Sequence, residues 1–148
     1  MKIPPPVYGL AALLSMVMLH KHVPVTCTDA SWPKYVGWGL VASGLALDLI
    51  SVLYFRKAKT TINPLRPENT SSLVTGGPYQ ISRNPMYLGM ALMLIGAALI
   101  LRCLTPILMP WVFCLVVTWL QIMPEEKTLE AIFNGDYREY KNQVARWV

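Results

Sequence analysis

The sequence predicts an all-α, integral-membrane helical bundle with about four transmembrane helices and a C-terminal cytoplasmic amphipathic helical segment. The first observation is composition: 54% of the 148 residues are hydrophobic and only 14% are charged, against about 25% charged in soluble domains. The second is the grouping of apolar residues into four runs. The third is the collection of basic residues on one side of the predicted bundle. A chain of this length is predicted to form a single domain, residues 1–148.

The four apolar runs have lengths close to that of a membrane span. They are Val7–Leu19 with 13 residues, Tyr35–Phe55 with 21, Met86–Leu101 with 16 and Ile107–Met123 with 17. A helix needs about 20 residues to cross a bilayer, so the first run spans only if its flanking residues contribute. Each run is predicted to be helical because lipid leaves backbone groups no partners but their own. Residues 102–106 are predicted to form the turn of a tight antiparallel hairpin between the last two helices.

Basic residues set the predicted orientation. If all four helices span, ten Lys and Arg lie on the side that holds the middle loop and both chain ends, and three lie on the other side. The positive-inside rule places the richer side in the cytoplasm. The domain thus divides into helices one and two (residues 1–60), a cytoplasmic loop (61–84), the hairpin (85–123) and a cytoplasmic tail (124–148).

The tail is predicted to contain two helical pieces. Pro124 suits the first turn of a new helix, and the two acids that follow it favour the N-terminal end of a helix. Asn134-Gly135 is predicted to end that helix, with Asp136 as the next N-cap. Beyond it, aromatic and apolar residues recur at helical spacing and suit the membrane interface or the bundle: Tyr137, Tyr140, Val144 and Trp147.

The three cysteines are scattered along the chain. Cys27, Cys103 and Cys114 form no CxxC pair and have no metal-ligand spacing, so neither a disulfide framework nor a metal site is indicated. Each is predicted to be a small buried apolar residue.

Two polar features lie at predicted cytoplasmic helix ends. Asn84-Pro85 is typical of an N-cap followed by proline at the first helical position, and such a helix mouth can hold a carboxylate or other polar ligand atoms. Glu125 and Glu126 lie where the fourth helix leaves the membrane. Because the hairpin brings both ends to one depth, Asn84 and Glu125 are expected to meet in a pocket that suits a zwitterion. The structural alternatives are a well-capped helix with an interfacial belt of aromatic residues and arginine, and solvated first-turn acids.

Three segments together resemble a family of membrane enzymes. They are the segment from Gly77 to Gly89 (GPYQISRNPMYLG), the segment from Glu125 to Phe133 (EEKTLEAIF) and the segment from Tyr137 to Trp147 (YREYKNQVARW). Their order and spacing resemble the superfamily of isoprenylcysteine carboxyl methyltransferases and phospholipid N-methyltransferases, as in its small bacterial members. The resemblance covers about residues 71–148, whereas residues 1–60 match only as generic membrane helices.

The resemblance implies S-adenosylmethionine as the cofactor. It also implies the residues that would contact this cofactor, which are Ser71, Ser72, Leu73, Val74, Tyr79, Asn84, Pro85, Met86, Tyr87 and Glu125. The carboxylate of Glu125 would take the amino group of the cofactor. Aromatic faces such as Tyr79 and Tyr87 suit a sulfonium, because the face of an aromatic ring attracts cations.

The sequence indicates the cofactor more specifically than it indicates the methyl acceptor. The prenylcysteine branch usually has His at the position of Asn84, and an arginine for the substrate carboxylate at the position of Gln121. Gln121 and Arg83 are the candidate substrate-binding residues. The expected acceptor is amphiphilic, a lipid amine, carboxylate or thiol, although a small nucleophile is possible. A protonated amine must first lose a proton, and Glu126 or Tyr140 could assist. Asp48, inside the second helix, is a further candidate or an equally plausible partnered structural acid.

The predicted protein is therefore a methyltransferase embedded in a bacterial inner membrane, with its cofactor pocket and both termini in the cytoplasm. Its expected partners are the lipid bilayer and the substrate, with no nucleic acid, and the sequence does not fix an oligomeric state. The alternative from another class is a non-catalytic helical membrane scaffold or subunit. A third possibility is a member that has kept the fold and lost turnover.

Overall fold

The computed structural model of the chain describes residues 3–57 and 73–148. Within these two ranges the long elements are all α-helices: α1 (Pro5–His22), α2 (Trp32–Lys57), α3 (Pro85–Leu101), α4 (Leu108–Val117) and α5 (Met123–Gln143). Two short 3-10 helices, Gly77–Gln80 and Thr105–Ile107, precede α3 and α4, and a π-helical turn, Thr118–Ile122, joins α4 to α5. The all-α prediction is confirmed for the part of the chain that the structure describes.

Two helices are long and apolar enough to cross a membrane. They are Trp32–Lys57 and the continuous helical stretch Thr105–Gln143. Large apolar side chains on α2, α4 and the π-helical turn point away from the protein, and Tyr35, Trp111 and Trp119 are 73%, 70% and 67% exposed. An exposed apolar surface of this kind is typical of a protein that contacts lipid. The count of four spans stays a prediction.

Helices α2 and α3 pack backbone against backbone. A Cβ atom added to Gly44 would lie 2.5 Å from the carbonyl oxygen of Gly89, and one added to Gly37 would lie 2.6 Å from that of Gly96. Glycines seven residues apart on each helix thus let the two backbones touch twice along their length, as small residues do in membrane helix pairs. This contact fixes the start of α3 beside the C-terminal half of α2.

The remaining core forms between α1, α3 and α4. Met16, Leu94, Phe113 and Val117 are buried together there. The predicted hairpin turn is confirmed: Arg102 adopts the left-handed conformation (φ 58°) directly after α3, and the short Thr105–Ile107 helix leads into α4. Helix α1 begins at Pro5 and extends to His22. The helix is therefore longer than the apolar run Val7–Leu19, because flanking residues on both sides are helical.

Pro124 lies in the first turn of α5, with Glu125 and Glu126 beside it, as predicted. This helix is not separate from α4, since the chain passes through the π-helical turn into α5 without a break. Proline is tolerated in the first turn of a helix, although it lacks a backbone N–H. The predicted stop at Asn134-Gly135 appears as a kink, where Asn134 has φ 41° and ψ −104°. Helix α5 resumes beyond it and ends at Gln143.

The prediction that no disulfide forms is wrong. Cys27, in the connection between α1 and α2, is bonded to Cys103 in the turn after α3. The backbones pair around it, since Thr28 N donates to Arg102 O at 3.0 Å and Leu104 N donates to Val25 O at 3.0 Å. A separation of 76 residues hid this pairing, because only the packing of α1 to α3 brings the two connections to the same end of the bundle. Cys114 is a free cysteine and is half-buried, whereas full burial was predicted.

Candidate functional site

The start of α3 and the start of α5 lie side by side at the end of the bundle away from the disulfide. The hydroxyl of Tyr87 donates to Oε1 of Glu125 at 2.9 Å, across 38 residues of sequence. One turn earlier, Nη1 of Arg83 lies 3.3 Å from Oε1 of Glu126. The expectation that the helix mouth at Asn84 and the acid pair come together is thus supported by these two contacts.

The adjacent glutamates have different surroundings. Glu125 is half-buried and accepts the Tyr87 hydroxyl. Glu126 is only 6% exposed, and both of its oxygens accept hydrogen bonds from Arg146, from Nε at 2.9 Å and from Nη2 at 2.8 Å. These bonds raise the pKa of Arg146. Glu126 therefore has a guanidinium on each side, and Glu125 is the acid with the more open position.

The C-terminal residues complete this end of the protein. Backbone N–H of Arg83 donates to Ala145 O at 3.0 Å. The side-chain amide of Asn84 donates to Arg146 O at 3.1 Å, and the Ser82 hydroxyl donates to the same carbonyl at 3.3 Å. Asn84 occupies the N-cap position of α3, but its side chain makes no capping bond. The predicted cap is thus correct in position, while its amide holds the C-terminal segment.

A cluster of buried tyrosines supports the 3-10 helix that precedes α3. The Tyr140 hydroxyl donates to Tyr79 O at 2.6 Å, and Tyr79, Tyr137 and Tyr140 are 5%, 2% and 7% exposed. Leu73 and Val74 pack against this cluster. Burial raises the pKa of Tyr79 and of Tyr140, and it raises that of Tyr137 to about 12. At neutral pH all three rings are therefore neutral.

Tyr79 is further held by aromatic residues of α2. The ring of Phe55 packs edge-on against it with 5.2 Å between ring centroids. Gly77 adopts φ 61°, and a Cβ atom there would lie 2.6 Å from Cε1 of Tyr54. A glycine is needed at this position for both its conformation and the close approach of the ring. The predicted turn at Gly76-Gly77 thus joins the loop to the end of α2.

An open cleft of about 800 Å³ lies beside the tyrosine cluster. Leu73, Phe133 and Tyr140 give it apolar and aromatic walls, and Asp136 and Glu139 give it two acids. A volume of this order is typical of small-molecule sites. Phe133, Asp136 and Glu139 were not predicted to be site residues, because an aromatic residue and two exposed acids on an amphipathic helix have no pattern distinctive of a site.

The other predicted site residues fall in three places. Ser71 and Ser72 lie outside the described residues. Pro85 is buried at the first position of α3, and Met86 follows it half-buried. Gln121 is 2% exposed in the π-helical turn, and its amide donates to Ile3 O at 2.6 Å. Gln121 thus contacts the N-terminal segment, and its substrate-binding role stays a prediction.

Arg146 was not among the predicted site residues, although both its side chain and its carbonyl bind residues at this end of the protein. Its side chain binds Glu126 and its carbonyl accepts from Ser82 and Asn84. The neighbouring Trp147 packs against the main core and its indole N–H donates to Thr118 at 3.3 Å. The sequence feature that could have indicated this role is the pair Arg146-Trp147, which ends the third of the segments that resemble the methyltransferase superfamily.

Comparison with known proteins identifies a family whose sequence profile matches the chain. The sequence profile of the phospholipid methyltransferase family matches residues 32–136, which is more than half of the chain. An uncharacterized protein of Haemophilus influenzae (strain Rd) is 40% identical over 63 residues, which are 43% of this chain and the whole of that protein. No solved structure matches the chain.

Proposed function

Because the chain belongs to the phospholipid methyltransferase family, we propose that it is an S-adenosylmethionine-dependent methyltransferase that works at the membrane surface on an amphiphilic acceptor. The observation that carries this proposal is the Tyr87–Glu125 hydrogen bond, 2.9 Å long. It joins an aromatic ring to a half-buried carboxylate at the mouth of α3. An acid and an aromatic face together suit a ligand that carries an ammonium and a sulfonium.

The residues present fit this cofactor. Glu125 would bind its amino group, and Tyr87 would orient Glu125 through the hydroxyl. The cleft lined by Leu73, Phe133 and Tyr140 would take the nucleoside part, with Asp136 and Glu139 as acceptors for ribose hydroxyls. When bound, the cofactor supplies a methyl group that is already activated, so the protein mainly aligns the two reactants and excludes water, which can contribute about 7–11 kcal/mol.

We infer positioning roles for Glu126 and Tyr140, which the sequence analysis considered as proton acceptors. Both Glu126 oxygens accept from Arg146, and the Tyr140 hydroxyl donates to Tyr79 O. A group with its lone pairs or its proton held in this way is poorly placed to accept another proton. Their contacts instead fix the 3-10 helix and the C-terminal segment around the start of α3.

We propose that all four apolar helices span and that the site lies in the cytoplasm. Two independent features support this orientation. Basic residues are concentrated on the side of the site, as the positive-inside rule requires. The Cys27–Cys103 disulfide lies at the opposite end, and disulfides persist on the oxidising side of a membrane.

Calorimetric titration of the purified protein with S-adenosylmethionine, in lipid nanodiscs, tests the proposed function. Wild type should bind saturably. Glu125→Gln should bind about 10-fold to 100-fold more weakly, because a hydrogen bond to a charged group contributes about 1.5–3 kcal/mol. Tyr87→Phe should also weaken binding. Glu130→Gln, an acid on the same helix that pairs with Arg138 and Lys141, is the matched control and should bind as wild type does.

The alternative function, a non-catalytic membrane scaffold, predicts a different result. Folded wild-type protein would then show no heat of binding in either nanodiscs or detergent. A member that has lost turnover would bind the cofactor but transfer no label to lipid extracts. The titration followed by a labelled-methyl assay separates the three cases.

A further inference from the structure

Asp48 is an acid on the membrane-embedded part of α2, nine residues before the helix ends at Lys57. It faces the first turns of α3. A Cβ atom added to Gly89 would lie 2.7 Å from Cγ of Asp48 and would overlap its Oδ1. The absence of a side chain at Gly89 thus provides the space that the carboxyl group occupies.

The carboxyl group of Asp48 has no counter-charge among the described residues. Its Oδ1 is buried and makes no hydrogen bond there, and the ion pairs found in the described part of the chain involve Glu126 and Glu130. Leaving a buried acceptor unsatisfied costs about 1–3 kcal/mol, and acids at membrane depth are costly in themselves. Among the described residues, Oδ1 of Asp48 therefore lacks the partner that the interpretation as a structural acid requires.

A second unsatisfied polar group points to the same place. The Tyr79 hydroxyl is buried, makes no hydrogen bond of good geometry within the described residues, and faces Ser51 and Asp48. Ser51 is fully buried and already donates its proton to Leu47 O at 2.6 Å. Asp48 thus presents an acceptor and Tyr79 a hydroxyl that can donate or accept, and Tyr79 packs against the aromatic ring of Phe55.

The surroundings of Asp48 are suited to an amphiphile. Asp48 itself is half-buried, whereas Leu45 and Leu49 on the same helix are 50% and 58% exposed and would contact acyl chains. Gly89 follows Tyr87 by two residues on α3, which is about 3 Å along the helix axis. A headgroup at Asp48 would therefore reach the level of the Tyr87–Glu125 contact while its chains stay in lipid.

We propose that Asp48 binds the ammonium group of the methyl acceptor and accepts its proton. This inference rests on the proposed function and concerns the amine acceptors within it, whose ammonium group Asp48 would hold. Asp48 Oδ1 takes one proton from the ammonium. The freed nitrogen lone pair then forms the N–C bond while the C–S bond of the sulfonium breaks, and the sulfur keeps the electron pair of that bond. Asp48 then releases the proton to water. The negative charge of Asp48 would repel an acceptor that carries a carboxylate.

The first experiment measures acceptor binding without cofactor. Thermal unfolding of the full chain in detergent micelles is titrated with short-chain phosphatidylethanolamine, and in parallel with short-chain phosphatidylglycerol. Wild type should be stabilised by the amine lipid and not by the glycerol lipid. Asp48→Asn should need at least 10-fold more of the amine lipid for the same stabilisation. Asp29→Asn, the same substitution at an exposed acid of the α1–α2 connection, should match wild type.

The second experiment separates this inference from the proposed function. Calorimetry should give Asp48→Asn and wild type the same affinity for S-adenosylmethionine within twofold, while transfer of labelled methyl to the amine lipid falls at least 10-fold. If Asp48→Asn does not fold, Asp48→Glu replaces it, because it keeps the charge and moves it by one methylene. The same loss is expected.

Three outcomes would overturn the inference. Wild type would show no preference for the amine lipid, or Asp48→Asn would keep lipid affinity and transfer within twofold of wild type, or it would lose cofactor affinity in parallel. Absence of cofactor binding in wild type would refute the proposed function instead, since the lipid titration contains no cofactor and reports on Asp48 alone.

Discussion

Replacing Glu126 with glutamine should destabilise the protein strongly, although the side chain keeps its size. The substitution removes the negative charge between two guanidinium groups. The side chains of Arg83 and Glu126 are each only 8% exposed, and that of Arg146 is 36% exposed. Breaking a buried ion pair by removing one partner costs about 3–5 kcal/mol. Because solvent reaches Arg146 and recovers part of this cost, we expect the lower end of that range, about 3 kcal/mol.

The measurement is the free energy of unfolding in mixed micelles, followed by circular dichroism. Glu130→Gln is the matched control on the same helix, because Glu130 pairs with Arg138 and Lys141 at the surface, where ion pairs contribute little. Adding Arg83→Met to Glu126→Gln should recover part of the loss, since it removes the unpaired buried charge. If Glu126→Gln were no less stable than Glu130→Gln, the buried ion-pair argument would be wrong.

Three further predictions concern packing, the disulfide and alkaline pH. Gly44→Ala should cost about 1–3 kcal/mol by overpacking, while Gly39→Ala, with nothing within 4 Å of its Cβ, should cost nothing; equal unfolding free energies would contradict the close α2–α3 contact. Reduction, or Cys27→Ser with Cys103→Ser, should cost about 2–4 kcal/mol, whereas Cys114→Ser should leave the mobility on non-reducing gels and the stability unchanged. The ultraviolet absorbance change of Tyr137 is the part of the wild-type pH titration that is missing in Tyr137→Phe. In the folded protein its midpoint should lie near pH 12, against about 10 for a free tyrosine. Because the folded-state pKa is the higher one, this ring's contribution to stability is complete below pH 10 and is lost as the pH rises toward 12; titration near 10 in folded protein would refute its burial.

Much of the fold could be predicted because membrane helices have a local signature. The apolar runs and Pro85 located α2, α3 and the hairpin turn within a few residues. The continuous passage from α4 to α5 could not be predicted, since Pro124 is equally compatible with a new helix and with the first turn after a π-helical turn. The disulfide and the Gly44–Gly89 contact depend on which helices are neighbours, and no local pattern determines that.

The candidate site was predictable where motif residues contact one another. Tyr87 and Glu125 were named as site residues, and a hydrogen bond joins them. Asn84 was assigned to ligand binding, but its side chain binds the carbonyl of Arg146. The sequence could not indicate this, because a free asparagine amide at a helix start suits a ligand and a returning chain segment equally well.

The two adjacent glutamates have different contacts because neighbouring positions on a helix point in different directions. Neighbouring residues on a helix point about 100° apart, so one position can face a pocket only if the other faces elsewhere. Here Glu126 points to Arg83 and Arg146 and is buried, which ties the C-terminal segment to the start of α3. Glu125 points to Tyr87 and stays half-buried. Sequence alone allowed either acid to be the ligand-binding one. The two arginines tie Glu126 to the fold, and Glu125 is the acid that contacts Tyr87 at the start of α3.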